Sequence, residues 1–214
     1  MGDARLAMIA SIEARIGRIA PRFREALLSV DRARYVRAVD VSRAFVDEPL
    51  PLDTPHGELV ATVSAPHAYV LGFDALRLDR GDALLELGSG SGYGAALAAH
   101  VVGASGSVTT VEVDPHLKAM AEQLNQGLTN VVTLHDDGLE RPDLIASHGK
   151  CWLTFAVEAI PRQLIDAMPE DGVLVAPVGS PVEQRLLRYH RRGGRIVVDD
   201  LGAVRFVRAR PRID

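Results

Sequence analysis

Three carboxylates and a glycine-rich turn carry the chemistry this chain is expected to do. Gly88-Ser89-Gly90-Ser91-Gly92 follows the apolar run Ala83 to Leu87, which has Glu86 near its end. Glu112 comes twenty residues after Gly92 at the end of a second such run, and Asp137 stands beside Gly138 after a third. A glycine turn between a buried strand and a helix brings the backbone close to a ligand at the helix N-terminus. A carboxylate ending the second strand can accept both hydroxyls of a ribose, and one ending the third can reach an adenine amino group. The turn is not the phosphate-binding G-x-x-x-x-G-K-[ST], since no Lys follows Gly92. It matches G-x-G-x-x-G only in part, because the third glycine falls one place early. Acids on three successive strand ends disfavour a polyphosphate and suit a cationic adenosine ligand. S-adenosylmethionine, with its sulfonium and ammonium groups, is such a ligand.

These residues need an alternating scaffold, and the sequence supplies one. Strands are expected at 83–87, 108–112, 131–134, 152–156 and 172–176, with helices at 93–102, 115–126 and from Pro161. That order implies an α/β fold with a mostly parallel sheet covered on both faces. The tail differs: 184–190, 195–198 and 203–207 are short β runs, the first two joined by Arg191-Arg192-Gly193-Gly194, so an antiparallel hairpin is expected at the sheet edge.

Ahead of the core, Leu6, Ile9, Ile12, Ile16 and Ile19 recur at helical spacing over 4–19, with Pro21 closing the helix. Phe23, Leu27 and Val30 suggest a second short helix, and Asp31 can cap a turn leading to Tyr35. Residues 47–57 carry three prolines and read as an ordered loop or arm. Pro66 suits the first turn of a helix running through Tyr69, Val70, Phe73 and Leu76, with Ser64 just ahead as a possible cap. The 214 residues are expected to form one domain, with 1–66 as helices and a lid or arm and 67–214 as the ligand-binding core.

Composition narrows the class. Apolar residues make up 47% and charged residues 24%, an ordinary globular mix, and the net charge of −4 gives no reason to expect nucleic acid or an anionic membrane as partner. The single cysteine, Cys151, rules out an intramolecular disulfide and leaves no Cys cluster for zinc, so no metal is expected. No apolar run approaches a membrane span, and Glu13, Arg15 and Arg18 interrupt the N-terminus where a signal peptide would be apolar. A cytoplasmic protein is the expectation.

With these motifs the chain resembles the protein-L-isoaspartate (D-aspartate) O-methyltransferases over about residues 22–207. The resemblance rests on Asp47-Glu48-Pro49-Leu50-Pro51-Leu52, on Ala61-Thr62-Val63-Ser64-Ala65-Pro66-His67, and on Leu85 through Tyr93. It continues through Val108 to Glu112, Asp137-Gly138, Pro161 to Asp166, and Pro177-Val178-Gly179. It implies a Rossmann-like class I methyltransferase with a seven-stranded sheet and a reversed terminal hairpin. It also implies that Ala61, Thr62, Val63 and Ser64 lie over the cofactor with the Ser64 hydroxyl near the transferred methyl. Glu86, Gly88, Ser89, Gly90 and Gly92 would serve the methionine part, Glu112 the ribose, and Asp137 and Gly138 the adenine. The implied reaction methylates the misplaced α-carboxylate of an isoaspartyl residue in a protein or peptide. The ester then collapses to a succinimide that can reopen as normal Asp. A carboxylate is already ionised at neutral pH, so alignment rather than a base should dominate. His67 is accordingly expected to pack or hydrogen-bond near the entrance, not to remove a proton.

Around the fourth strand the chain departs from the family. Cys151 stands where an Asp is usual, Glu158 falls in an alanine-rich turn, and the link to Pro161 is about two residues short. That turn and Pro177, Val178 and Gly179 are expected to border the acceptor. An ionised Glu158 about 4 Å from an acceptor carboxylate would repel it by about 4 kcal/mol, roughly a thousandfold in affinity. Either Glu158 points away, or burial raises its pKa, or the acceptor differs, for example an Asp side chain in a dedicated peptide or a small molecule. A cofactor-binding protein without turnover is a further alternative. Arg208 replaces a proline common in the family, and the basic tail from Arg191 to Arg210 reads as a solvated hairpin.

Overall fold

A computed structural model of the chain describes residues 2–52 and 61–210. Helix α1 (Gly2–Ile16) ends at Gly17, three residues before the expected stop, and Pro21 opens α2 (Pro21–Ser29) instead of closing α1. Proline at a first helical position loses no hydrogen bond, which is why it starts the second helix so readily. Two 3-10 turns follow at Arg32–Arg34 and Ala38–Arg43, the first capped by the Asp31 carboxylate accepting from Ala33 N–H. Strands β1 (Leu50–Pro51) and β2 (Thr62–Val63) pair antiparallel and lead into α3 (Pro66–Leu76). Residues 53–57 of the proline-rich arm lie outside the described residues.

The core alternates as the sequence predicts: β3 (Ala83–Leu87), α4 (Tyr93–Val102), β4 (Ser107–Glu112), α5 (Pro115–Leu124) and β5 (Val131–His135). A short helix unread in the sequence, α6 (Pro142–Ser147), precedes β6 (Lys150–Leu153), α7 (Arg162–Ala167) and β7 (Val173–Gly179). The chain then runs through β8 (Gln184–Arg192) and β9 (Arg195–Val204). The seven strands order as β5-β4-β3-β6-β7-β8-β9, the first five parallel and the last two antiparallel.

Two boundaries differ from expectation. β6 starts and stops earlier than 152–156 because Thr154 leaves the ladder, its hydroxyl donating to Leu87 and Gly88 carbonyls at 3.0 and 2.6 Å. The runs at 195–198 and 203–207 are one strand, β9, which ends at Val204. Asp199 and Asp200 look like a break in sequence but pair across the ladder with Arg188 and Arg185.

The central strands are buried on both faces. Leu84 of β3 packs into the layer made by α1 to α4, while Leu85 and Leu87 pack into the opposite layer with Ile145, Leu164 and Met168. Glu86 falls on the α4 side by the same alternation. The N-terminal helices are tied to this core by polar contacts as well. Buried Arg32 donates to the carbonyls of Ala44, Val46, Glu48 and Ser64. Tyr35 donates to Asn125, which in turn donates to the Gly92 carbonyl at 3.0 Å. No helix among the described residues is long and apolar enough to cross a membrane.

Candidate functional site

The chain steps from β3 outward to β5 and returns on the other side at β6, leaving a crevice at the carboxyl ends of the strands. A cavity opens there. Ala61, Thr62, Ser64, Gly88, Ser89, Gly90, Glu112, Asp137 and Gly138 all line it. The turn that forms its floor needs glycine at its first position: Gly88 has φ 96°, and a side chain there would collide with Thr154 Oγ1 and come within 2.8 Å of Phe155.

Three of the sequence-predicted residues sit beside the cavity without lining it. Val63 is in the core, and Gly92 caps α4. Glu86 lies fully buried beneath the turn, where a Cβ at Gly94 would collide with it. It accepts from Thr110 Oγ1 at 2.7 Å, and Ser89 Oγ is 2.7 Å from the same hydroxyl. Burial, reinforced by the Glu112 charge and opposed by the Thr110 bond, pushes its carboxyl up to about 8. Glu86 is therefore mainly protonated at neutral pH.

Glu112 differs. Its Oε2 accepts from Gly90 N–H at 2.9 Å, and its Oε1 from Val113 and Asp114 N–H at 3.0 and 3.1 Å. Burial raises its carboxyl, with the Gly90 and Asp114 bonds and the Arg210 charge working against the rise. Asp137 caps the 3-10 turn Gly138–Glu140 by accepting from Leu139 N–H at 3.0 Å.

The Thr62–Ser64 segment has a second face. A groove on its other side is lined by Pro49, Thr62, Ser64, Ala65, His67, Ala68, Leu71, Leu186 and residues 203–207. Thr62, Ser64 and Val207 are thus common to cavity and groove. Ser64 is not the cap of α3; that position is Ala65, without a side-chain bond. Ser64 lies instead against buried Tyr69, whose phenol is pushed up to about 12 by burial and the Glu86 charge, against the opposing effect of Arg32 and hydrogen bonds from Ser64. His67 hydrogen-bonds, its Nδ1 standing 2.9 Å from Asp47 Oδ1.

Glu158, Pro177, Val178 and Gly179 line neither the cavity nor the groove. Glu158 is 77% exposed and pairs with Arg208 at 2.9 Å. Pro177 to Gly179 lie within β7, paired with β8.

The cavity also holds residues that the sequence reading missed. Thr154 and Phe155 line it because β6 stops at Leu153, so the aromatic, β-branched run that looked like strand is in fact the turn at the strand's end. Val207, Arg208 and Arg210 close its outer side. Ala156 N–H donates to Val207 O at 2.7 Å and Ala209 N–H to Ala156 O at 2.9 Å, docking this tail against the turn. Arg210 reaches Asp114 at 3.5 Å. The sequence assigns these arginines to a solvated hairpin; the bridge of Arg208 to Ala156 and the ion pairs Arg208–Glu158 and Arg210–Asp114 hold them at the cavity instead.

Comparison with known proteins agrees with this geometry. The sequence model of the Protein-L-isoaspartate(D-aspartate) O-methyltransferase (PCMT) family matches residues 6–213. Among curated relatives, the Protein-L-isoaspartate O-methyltransferase of Methanococcus aeolicus is 40% identical over 86% of this chain and 83% of its own length. That of Fervidobacterium nodosum is 36% identical over 86% of this chain and 90% of its own. A solved protein-L-isoaspartate O-methyltransferase superposes with a TM-score of 0.86 at 22% identity, covering 97% of this chain and 66% of that longer one. A Plasmodium falciparum protein described as a putative protein-L-isoaspartate O-methyltransferase in complex with S-adenosyl-L-homocysteine superposes at 0.80 with 20% identity, covering 94% and 96%. At these identities the two structures speak for the fold, and the family model and curated relatives for the lineage: the chain belongs to the protein-L-isoaspartate(D-aspartate) O-methyltransferase family.

Proposed function

We propose that this chain transfers the methyl group of S-adenosylmethionine to the free α-carboxylate of isoaspartyl residues in proteins and peptides. The observation that carries this reading is the meeting of two sites at Thr62 and Ser64, an acid-lined cavity on one side and an open groove on the other. In-line transfer needs donor and acceptor sites that adjoin and open onto each other, because the methyl and the acceptor oxygen must approach to about 3–3.5 Å. Family membership supports the chemistry, and the S-adenosyl-L-homocysteine in the Plasmodium relative is the product such a donor leaves.

The residues present fit the donor. Ser91 Oγ is buried without a partner among the described residues, lines the cavity, and is free to hydrogen-bond a ligand. Gly88, Ser89 and Gly90 would lie under its methionine part, Glu112 would hold the ribose, and Asp137 with Gly138 would hold the adenine. Glu86 and Gly92 would support the turn from behind, and Val63 would anchor the wall strand. S-adenosylmethionine supplies a methyl already activated by its sulfonium. The chain need only bind, orient and exclude water. Ser64 and the Thr62 backbone would position the acceptor oxygen in line, and alignment of this kind is worth up to roughly 7–11 kcal/mol.

The exposed position of Glu158 favours an ordinary isoaspartyl carboxylate over an altered acceptor, because its charge is screened by solvent, paired with Arg208, and absent from the groove lining. We further propose that the chain works as one domain, in which 1–66 cover and shape the groove and 67–214 bind the donor. The test is incubation with methyl-labelled S-adenosylmethionine and matched Asp and isoAsp peptides, counting volatile methanol after base. Counts from the isoAsp peptide alone are expected. Tight donor binding with no ester on any peptide would reduce the chain to a binding protein.

A further inference from the structure

Asp47 sits behind the groove with a side chain only 2% exposed. It accepts from His67 N–H at 2.9 Å, and its two oxygens lie 2.9 and 3.0 Å from His67 Nδ1. Arg15 Nε of α1 approaches it at 3.2 Å. Burial acts to raise this carboxyl, but the hydrogen bonds from the His67 ring and backbone and the charges of His67 and Arg15 together hold it below the usual carboxylate range. A carboxylate so placed keeps a proton on Nδ1 whether the ring is neutral or charged. The atom that changes is then Nε2: a lone pair in the neutral ring, an N–H donor in the imidazolium. No described residue partners it.

The His67 ring is 23% exposed and lines the groove beside Ser64. Glu48, next in the chain to Asp47, is tied to Arg43 at the surface, and the other charges near the groove are cationic. Arg205, from the segment after β9, lines the same groove and is exposed, without an ion-pair partner among the described residues. Arg32 stands behind Asp47. A groove with two cationic or ionisable groups and a buried carboxylate turned away from it is built for an anionic occupant.

We infer that His67 is a specificity-determining residue for the acceptor: held by Asp47, it donates through Nε2–H to the acceptor carboxylate beside Ser64. This rests on the reading of the groove given above. The acceptor loses its charge as it takes the methyl, so a cation beside it favours the bound ground state at least as much as the transition state. The contribution of His67 should therefore appear in KM rather than kcat. The Nε2–H donor exists only in the imidazolium, so KM is expected to be lower at the acid end of the working range than at the alkaline end.

The experiment measures initial rates on an isoAsp peptide from about pH 5 to 8 for the wild type and His67→Gln, with donor affinity by calorimetry. The wild-type KM is expected to rise about tenfold across that range, the loss of one charge-assisted hydrogen bond. His67→Gln should show a raised KM that no longer depends on pH, with the loss falling on KM and with donor affinity kept. Asp47→Asn, which removes the carboxylate that holds Nδ1–H, should raise KM with donor affinity kept; if that variant does not fold, the His67→Gln profile decides alone. A wild-type KM flat with pH, or a His67→Gln profile that still rises, overturns the inference while methyl transfer stands. No ester from the wild type at any pH overturns the underlying reading, and the inference with it.

Discussion

The cavity and the groove share Thr62, Ser64 and Val207 yet are built from opposite materials. The cavity gathers carboxylates from strand ends, Glu112 after β4 and Asp137 after β5, over a glycine floor. The groove has apolar walls, Leu71 and Phe206 among them, and its charged or ionisable groups are His67 and Arg205. One side suits a cationic nucleoside and the other an anionic acceptor. The difference also extends to how each is made. The acidic cavity residues follow directly from the ends of regular strands, whereas the groove joins a loop residue, the start of α3, β8 and the chain at and beyond the end of β9.

That contrast can be broken from the cavity side. Gly88→Val should have the largest effect, since its φ of 96° and its contact with Phe155 leave no room for a side chain. Loss of donor affinity beyond roughly a thousandfold, about 4 kcal/mol, is expected in calorimetry. An unchanged dissociation constant would mean that the turn is not the floor of the donor site.

Glu86 comes next. Its folded-state pKa, pushed up to about 8, lies above the unfolded value near 4.3, so the folded state binds the extra proton. Its stabilising effect is complete below about pH 4 and is lost as pH rises through about 8, on the order of 3 kcal/mol between pH 5 and 8. Denaturant titrations should show this slope in the wild type and a flatter one in Glu86→Gln. A smaller loss is expected for Glu112→Gln, where an amide NH2 would face a backbone N–H donor. Donor affinity should fall roughly thirtyfold, about 2 kcal/mol, with the acceptor KM unmoved. A change in acceptor KM instead would join the two sites that the structure separates.

The same division explains what could be read from sequence. β3 and α4 fall at the expected residues because an apolar run, three glycines and an alanine-rich helix are local signals. Gly88, Ser89, Gly90, Glu112, Asp137 and Gly138 line one cavity for the same reason, while Ala61, Thr62 and Ser64 join them as the family resemblance implied. Local signals failed where a long-range contact decides. Thr154 looks like strand until its hydroxyl meets the Leu87 and Gly88 carbonyls. Asp199-Asp200 looks like a turn until Arg185 and Arg188 lie opposite. The Asp47–His67 pair spans twenty residues, and Arg208 meets Glu158 across fifty. No periodicity or turn signal encodes such pairs.

Glu158 gives the smallest and most discriminating test. The sequence alone sets it against the acceptor, since one ionised carboxylate about 4 Å from another would cost about 4 kcal/mol. In the structure its side chain is 77% exposed, is held 2.9 Å from Arg208, and lines neither the cavity nor the groove. An exposed pair of this kind contributes roughly 0–1 kcal/mol. Glu158→Ala should therefore change thermal stability by only a few degrees at most. Acceptor KM and the preference for isoAsp over Asp peptide should stay within about twofold, well under 1 kcal/mol. If KM instead fell by orders of magnitude, relief of a direct repulsion would be the cause. The acceptor would then lie against the turn after β6, where the sequence pattern first suggested it, and the groove beside His67 would lose its assigned occupant.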